Sequence, residues 1–151
     1  MRRASFVDMN CSVAQGLEQI GEWWTMLILR DALLGVRRFE DFQSRLGIAR
    51  NILSARLDTL VGHGIMERRP YSERSARHEY VLTEKGRDLA AVVVALTEWG
   101  DRWLAPDGPP GLYTHSPCGG QITLVTTCAN CGRVHDPAEI KVRPGPGIRT
   151  T

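Results

Sequence analysis

Four residues in the C-terminal part of the chain have the types and the spacing of metal ligands. His115 and Cys118 are separated by two residues, as are Cys128 and Cys131, and a glycine follows each pair. Three thiolates and one imidazole form a closed tetrahedral set that suits structural zinc, so we expect a zinc-ribbon-like unit and no catalytic residues. His135 is the alternative fourth ligand. A Cys128–Cys131 disulfide, or free thiols, is the alternative to metal.

A second group of residues, between positions 48 and 61, has the chemistry of a DNA-reading helix. Leu53, Leu57 and Leu60 recur with helical spacing and predict the buried face. Arginine and asparagine on the other faces are the side chains that recognise guanine and adenine in the major groove. The predicted base-reading residues are Arg50, Asn51, Ser54 and Arg56. For Arg56, an ion pair with a neighbouring acidic residue is the alternative.

Further arginines flank this helix and are candidates for backbone contacts with DNA. After Gly62-His63-Gly64, two strand-like runs at 65–69 and 78–82 predict a β-hairpin, or wing, with a polar tip at 70–77. Arginines on the wing can reach the minor groove or phosphates, and a pair before the third helix can reach phosphates. The candidates are Arg74, Arg77, Arg37 and Arg38. A solvated loop is the alternative for the wing.

The segments that position these residues are predicted to be mostly helical. Apolar periodicity and glycine breaks predict helices from Ser12 to Gly21, from 22 to 34, from 39 to 46, from 49 to 61 and from Glu84 to about Leu104. A short helix, a tight glycine turn, a second helix and a hairpin follow the winged helix-turn-helix order. The predicted fold class is mostly α with a small β-hairpin wing, plus a small C-terminal zinc-ribbon-like β unit.

The composition changes along the chain and predicts five parts. These are an N-terminal arm (1–10), the winged domain (11–104), a Pro/Gly linker (105–111), the zinc-ribbon-like appendage (112–142) and a disordered tail (143–151). The last helix of the winged domain is apolar on more than one side, which favours packing against its own copy in a homodimer. Deeper burial within a monomer is the alternative.

The distribution of charge and the length of the apolar runs indicate which classes of protein fit this sequence. The net charge is only +2, but residues 37–80 contain nine arginines and six acidic residues. Arginine suits contacts with phosphate and guanine, although a GC-rich genome would also enrich it. The N-terminus lacks the apolar core of a signal peptide, and the longest apolar run, Leu89–Leu96, is too short to cross a bilayer. We expect a cytoplasmic protein with no membrane partner.

Several blocks of the sequence, in this order, resemble a known family. They are Cys11-Ser12-Val13, Glu22 to Arg30, Arg37 to Phe42, Leu53 to Leu57, Gly64 to Arg68, and Arg77 to Thr83 with Gly86. Over about residues 8–104 the chain resembles the HxlR-type winged helix-turn-helix regulators, which are MarR-related homodimeric bacterial transcription factors. The resemblance implies dimerisation through the first and last helices of the domain. The appendage departs from the minimal form of that family.

The resemblance also implies a function and one kind of effector. We expect a DNA-binding transcriptional regulator, acting as a repressor at an inverted-repeat operator. Some members of the family sense oxidants or electrophiles with a cysteine at the position of Cys11, which here precedes the predicted N-cap Ser12. A buried, inert thiol is the alternative. Apart from the resemblance, a small ligand could bind in the apolar dimer cleft near four tryptophans, Trp23, Trp24, Trp99 and Trp103. The alternative is that these aromatic residues, at helical spacing, belong to the core.

Two other functions compete with this one. The appendage could be an interaction module that docks a protein partner. A zinc-dependent enzyme is less compatible with the sequence, because four protein ligands leave no open position on the metal.

Overall fold

The computed structural model describes residues 5–71 and 77–147 of the chain. Within these ranges the helices are α1 (Ser12–Ile20), α2 (Trp23–Leu33), α3 (Phe39–Leu46), α4 (Arg50–Gly62), α5 (Glu84–Arg87) and α6 (Ala90–Leu104). The strands are β1 (Met66–Pro70), β2 (His78–Leu82), β3 (Thr127–Cys128) and β4 (Gly132–Arg133), followed by a 3-10 turn at Pro137–Glu139. The chain divides into two compact units, Met1–Val93 and Val94–Thr151.

The core of the first unit is built around the buried face of α4. Leu53, Leu57 and Leu60 are fully buried, as the leucine spacing predicts. α4 packs against α2, α3 and β1. Those elements contribute fully buried side chains of their own, including Ile28, Leu29, Phe42 and Met66. The opposite face of α4 is therefore held towards solvent.

A buried carboxylate ties α2 to α3. Asp31 on α2 has no exposed side-chain surface and pairs with Arg30 at 2.9 Å. It also pairs with Arg45 on α3, at 3.3 Å. Because a buried charge needs a partner, these contacts restrict how α3 can sit against α2.

β1 and β2 form the predicted hairpin. They pair antiparallel, from Met66 opposite Leu82 to Pro70 opposite His78. β2 has the predicted limits, while β1 begins and ends one residue later than expected. The segment before α3 pairs with the hairpin, since Arg38 bridges Glu79 and the Tyr80 N–H donates to the Arg37 carbonyl oxygen at 2.8 Å.

The predicted long helix from Glu84 to Leu104 is wrong in one respect, because the chain turns between α5 and α6. Thr83 caps α5, accepting a hydrogen bond from the Gly86 N–H at 3.2 Å. Gly86 lies so close to the Ile65 carbonyl that a Cβ there would overlap it. This contact places α5 against the start of the hairpin, and two turn residues at 88–89 separate α5 from α6. Apolar periodicity does not show such a break.

The N-terminal end of α1 also differs from expectation. Cys11, not Ser12, is the N-cap residue, and neither residue's side chain caps the helix. Gln15 instead donates hydrogen bonds to the carbonyl oxygens of Phe6, Val7 and Met9. The described part of the arm, residues 5–10, is thus attached to α1.

Much of the expected apolar stripe on α1 and α6 is exposed in the single chain. Val13 on α1 is 69% exposed and Trp103 on α6 is 64% exposed. Leu17, Leu96 and Trp99 are exposed as well. Deeper burial of the α6 residues within a monomer, the alternative to packing against a second copy, is therefore not seen.

The second unit contains the last part of α6 and a small β unit. β3 and β4 form a hairpin, and Thr114 bridges Gln121. The β-branched run from Gln121 to Thr127 is not the continuous strand its composition suggests. From 111 to 147 no residue is buried, so this segment has almost no core.

Among the helices of the described residues, none is long and apolar enough to cross a membrane.

Candidate nucleic-acid interface and cysteine half-sites

The turn between α3 and α4 presents the N-terminal end of α4. α3 ends at Gly47, whose φ of 61° places it in the left-handed region that glycine adopts readily. Ala49 then caps α4 without any side-chain hydrogen bond. A short helix, a glycine turn and a second helix with an open N-terminal end form a helix-turn-helix.

The outward face of α4 contains the predicted base-reading residues in its first turn. Arg50 and Asn51 are exposed, and Ser54 is half-buried. The Arg50 guanidinium lies 4.8 Å from the centre of the Phe39 ring, a cation–π contact. This contact orients the Arg50 side chain at the start of the helix while it stays accessible.

Arg56 has a different environment from the other three candidates. Its Nε lies 3.2 Å from Oε2 of Glu22, and both side chains are partly buried. Glu22 also caps α2 by accepting a hydrogen bond from the Thr25 N–H. The structure therefore contains the ion pair that was the alternative for Arg56, and this pair links α4 to the start of α2.

Arg38 and the wing residue Arg77 lie near each other at the base of the hairpin. The Tyr71 N–H donates to the Arg77 carbonyl oxygen at 2.9 Å, which closes the described part of the wing. Arg38 lies over the Tyr71 ring at 4.4 Å and 4.0 Å from a carboxylate oxygen of Glu79. Arg38 and Arg77 both line a cavity of about 230 Å³ with acidic neighbours, including Glu40. Arg37 is exposed and Arg74 lies outside the described residues.

Tyr71 is a residue that the sequence alone did not single out. It meets Arg38 only because the hairpin folds back beside the segment before α3. The Tyr-Arg contact is formed by tertiary structure, and no spacing in the sequence signals it.

Comparison with known proteins identifies the domain. A family model for the HxlR-like helix-turn-helix matches residues 19–108. The chain belongs to the HxlR-like helix-turn-helix family.

Individual relatives agree with this assignment. The uncharacterised HTH-type transcriptional regulator Rv3095 of Mycobacterium tuberculosis is 47% identical over 139 residues, which cover 91% of this chain and 88% of Rv3095. The crystal structure of PA1607, proposed to be a transcription factor, is 37% identical with a TM-score of 0.85, covering 94% of this chain and 100% of PA1607. The redox regulator HypR in its reduced form is 31% identical with a TM-score of 0.57, over 61% of this chain and 92% of HypR. This HxlR-like chain is thus a transcriptional regulator, and the enzyme alternative gains no support from these relatives.

Cys11 of this HxlR-like chain is exposed in the single chain. As the N-cap residue, Cys11 supplies the carbonyl oxygen that accepts the Gln15 N–H at 3.0 Å. In the single chain its thiol can be reached from solvent.

The predicted metal ligands lie in two pairs. His115 Nδ1 lies 3.2 Å from Cys118 Sγ. The backbone N–H groups of Asn130 and Cys131, with the Cys131 thiol, form hydrogen bonds to the Cys128 sulfur and lower its pKa. All four cysteines of the chain are free.

The fit of these pairs to a metal is only partial. Within residues 5–71 and 77–147, no three His, Cys, Asp or Glu side chains are close enough together to hold one ion. The structure thus forms each half of the predicted Cys3His set but leaves the halves apart. His135 is exposed, and nothing in its described surroundings favours it over His115.

An open groove in the second unit contains two of the four tryptophans. Glu98 accepts a hydrogen bond from the Leu124 N–H at 2.9 Å, which attaches the β-branched segment to α6. Beside this contact is a cavity of about 590 Å³, lined by Trp99, Arg102 and Trp103 together with the segment from 124 to 126. The volume lies in the range of small-ligand sites.

Proposed function

We propose that this protein is a homodimeric repressor that binds an inverted-repeat DNA operator. α4 enters the major groove with its first turn, and the hairpin contacts the adjacent backbone. The observation that carries the proposal is the polarity of α4, with three leucines fully buried and Arg50 and Asn51 exposed at its start. A recognition helix needs one face fixed in the core and its N-terminal side chains free for base edges.

The arginines outside α4 support a backbone-positioning role for the wing. Arg37 is exposed, and Arg38 is held between Tyr71 and Glu79 at the hairpin base. Such residues supply affinity that falls steeply with salt and carries little sequence information. Because Arg56 is already paired with Glu22, it is a weaker candidate for a base contact than Arg50 or Asn51.

Exposed apolar side chains on α1 and α6 support the homodimer. Val13, Leu17, Leu96, Trp99 and Trp103 are all exposed in a single chain. Large apolar residues on two helices favour association, and a two-fold axis would pair two recognition helices with two half-sites. Half-sites about 34–36 Å apart are then expected.

Two effectors are compatible with the proposal. HypR is a redox regulator, and the exposed N-cap thiol of Cys11 is the corresponding candidate for an oxidant or electrophile in this chain. The groove beside Trp99 and Trp103 is the candidate for a small ligand. Loss of operator affinity on adding an oxidant, but not in a Cys11→Ser variant, would assign the first of these.

Fluorescence anisotropy tests the DNA-binding proposal. The probe is duplex DNA from immediately upstream of the gene, compared with a scrambled duplex at two salt concentrations. We expect tighter binding to the native duplex and weakening by salt. Arg50→Ala should weaken binding about 5- to 150-fold, as loss of one base contact does. Arg143→Ala, an equal charge loss in an exposed segment outside the helices, should leave the affinity unchanged. Equal losses in both variants would contradict base reading by α4.

A further inference from the structure

We propose that the two cysteine half-sites bind a single zinc ion through His115, Cys118, Cys128 and Cys131. The metal connects two turns that the chain has already formed and thereby restricts the motion of the segment between them. This inference concerns the appendage and is independent of DNA binding.

Each half-site is a tight turn of the kind that a zinc knuckle requires. Gly119 and Gly132, which follow the second residue of each pair, have φ values of 71° and 92°. An antiparallel pairing closes each turn, Thr114 with Gln121 in the first and β3 with β4 in the second. The same backbone solution at both places indicates that the two turns serve the same purpose.

The first half-site has the separation of two ligands on one ion. With bonds of about 2.0 Å to nitrogen and 2.3 Å to sulfur, tetrahedral zinc holds such atoms about 3.5 Å apart. His115 Nδ1 and Cys118 Sγ are 3.2 Å apart. The turn is braced by the Gly119 N–H, which donates to the His115 carbonyl oxygen at 2.7 Å.

The second half-site is held by the hairpin of β3 and β4. Thr127 pairs with Arg133 and Cys128 pairs with Gly132, so Cys128 and Cys131 lie at the two ends of one tight turn. The hairpin thus positions both cysteines before any metal binds.

The appendage has almost no core to stabilise its fold. None of the residues from 111 to 147 is buried, and only Tyr113, Cys128 and Val134 are half-buried. A segment of this size without a core needs a metal or a disulfide, and the four cysteines are free. Metal binding would supply the missing stabilisation, with the thiol protons released to solvent.

Closing the site requires the two halves to approach each other. The connecting residues 122–126 have no regular structure, and the Leu124 N–H is attached to Glu98 on α6. The Ile122 N–H donates to the Tyr113 carbonyl oxygen and the Val134 N–H donates to the Thr126 carbonyl oxygen, so the ends of the segment belong to the two hairpins and the closing movement falls to residues 123–125. The ion would then hold residues 122–126 from both ends.

Metal content and cobalt substitution of the full-length, reduced protein test the proposal. We expect one zinc per chain and, after exchange with Co²⁺, the visible absorption of a tetrahedral thiolate site. Cys118→Ser and Cys131→Ser, one variant in each half-site, should each weaken zinc binding by at least about tenfold, the loss caused even by removing an outer partner of a ligand. Cys11→Ser and His135→Ala are the matched controls and should bind as the parent does.

The outcomes separate one shared site from its alternatives. Zinc binding unaffected by Cys118→Ser would show that the Cys128–Cys131 pair acts alone and would overturn the proposal. Loss of binding in His135→Ala but not in His115→Ala would overturn the assigned ligand set. Absence of tetrahedral cobalt absorption would overturn the site altogether. Slower tryptic cleavage after Arg133 in the zinc-loaded protein, with unchanged operator affinity, would support the closing movement and exclude general unfolding.

Discussion

At the scale of single residues, Arg56 distinguishes a structural role from a DNA contact. Its ion pair with Glu22 is partly shielded, with side chains 30% and 18% exposed. We expect Arg56→Ala to lower the free energy of unfolding by about 1 kcal/mol, near the upper end for exposed pairs. Its effect on operator affinity should be smaller than that of Arg50→Ala. Urea denaturation and anisotropy measure the two quantities on the same variants.

A double-mutant cycle shows whether the loss of stability comes from the pair itself. Glu22→Gln keeps a side-chain oxygen that can accept the Thr25 N–H, so it removes the charge while preserving the cap. If the ion pair carries the effect, the double variant should be less destabilised than the sum of the single variants. If the losses of unfolding free energy are strictly additive and Arg56→Ala also loses much of its DNA affinity, Arg56 would instead be a DNA-contacting residue.

The sequence predicted residue types better than residue partners. Leu53, Leu57 and Leu60 could be placed in the core because helical spacing depends only on near neighbours. The partner of Arg56 could not be chosen, because Glu22 approaches it only after α2 and α4 pack. The N-cap of α1 was also predicted one residue too late, since it is Cys11 and not Ser12.

At the scale of elements, Gly86 determines how α5 joins the hairpin. A Cβ at this position would overlap the Ile65 carbonyl oxygen, whereas one at Gly62, in the last turn of α4, meets nothing within 4 Å. We expect Gly86→Ala to destabilise the fold by about 1–3 kcal/mol through overpacking. Gly62→Ala should stabilise it by about 0.4–1 kcal/mol by restricting the unfolded chain. Thermal or urea denaturation measures the free energy of unfolding of both variants. Destabilisation by Gly62→Ala without destabilisation by Gly86→Ala would contradict the proposed role of Gly86.

Element limits were predictable wherever one strong local signal ends a segment. α3 ends before Gly47, and β2 has its expected limits. The break between α5 and α6 was missed because the apolar periodicity continues through residues 88–89 without a glycine or proline to mark it. The run from Gln121 to Thr127 has strand-like composition but no partner strand beside most of it, so it remains irregular.

At the scale of the whole molecule, the exposed apolar side chains of α1 and α6 make dimerisation the property to test. We expect Val13→Glu to convert the protein to a monomer, because it buries a charge if the proposed interface forms. The substitution lies in the first turn of α1, where an acidic residue favours the helix, so the monomer itself should stay folded. Val142→Glu makes the same change at a residue that is 98% exposed and outside the helices, and should leave the assembly intact. Sedimentation equilibrium measures the mass of each variant.

The consequence for DNA binding follows from linking two half-site contacts. In a dimer the second recognition helix binds at high effective concentration, so losing it should weaken operator affinity by about 10²- to 10⁴-fold. A folded Val13→Glu monomer that binds the full operator as tightly as the parent would contradict two-fold recognition. If Val13→Glu remains dimeric yet loses DNA affinity, α1 is not at the interface, and the exposed residues of α6, above all Trp103, become the surface to change next. Because Arg50 and Asn51 are untouched, a single half-site duplex should bind the monomer and the parent equally, which ties any loss to assembly and not to base reading.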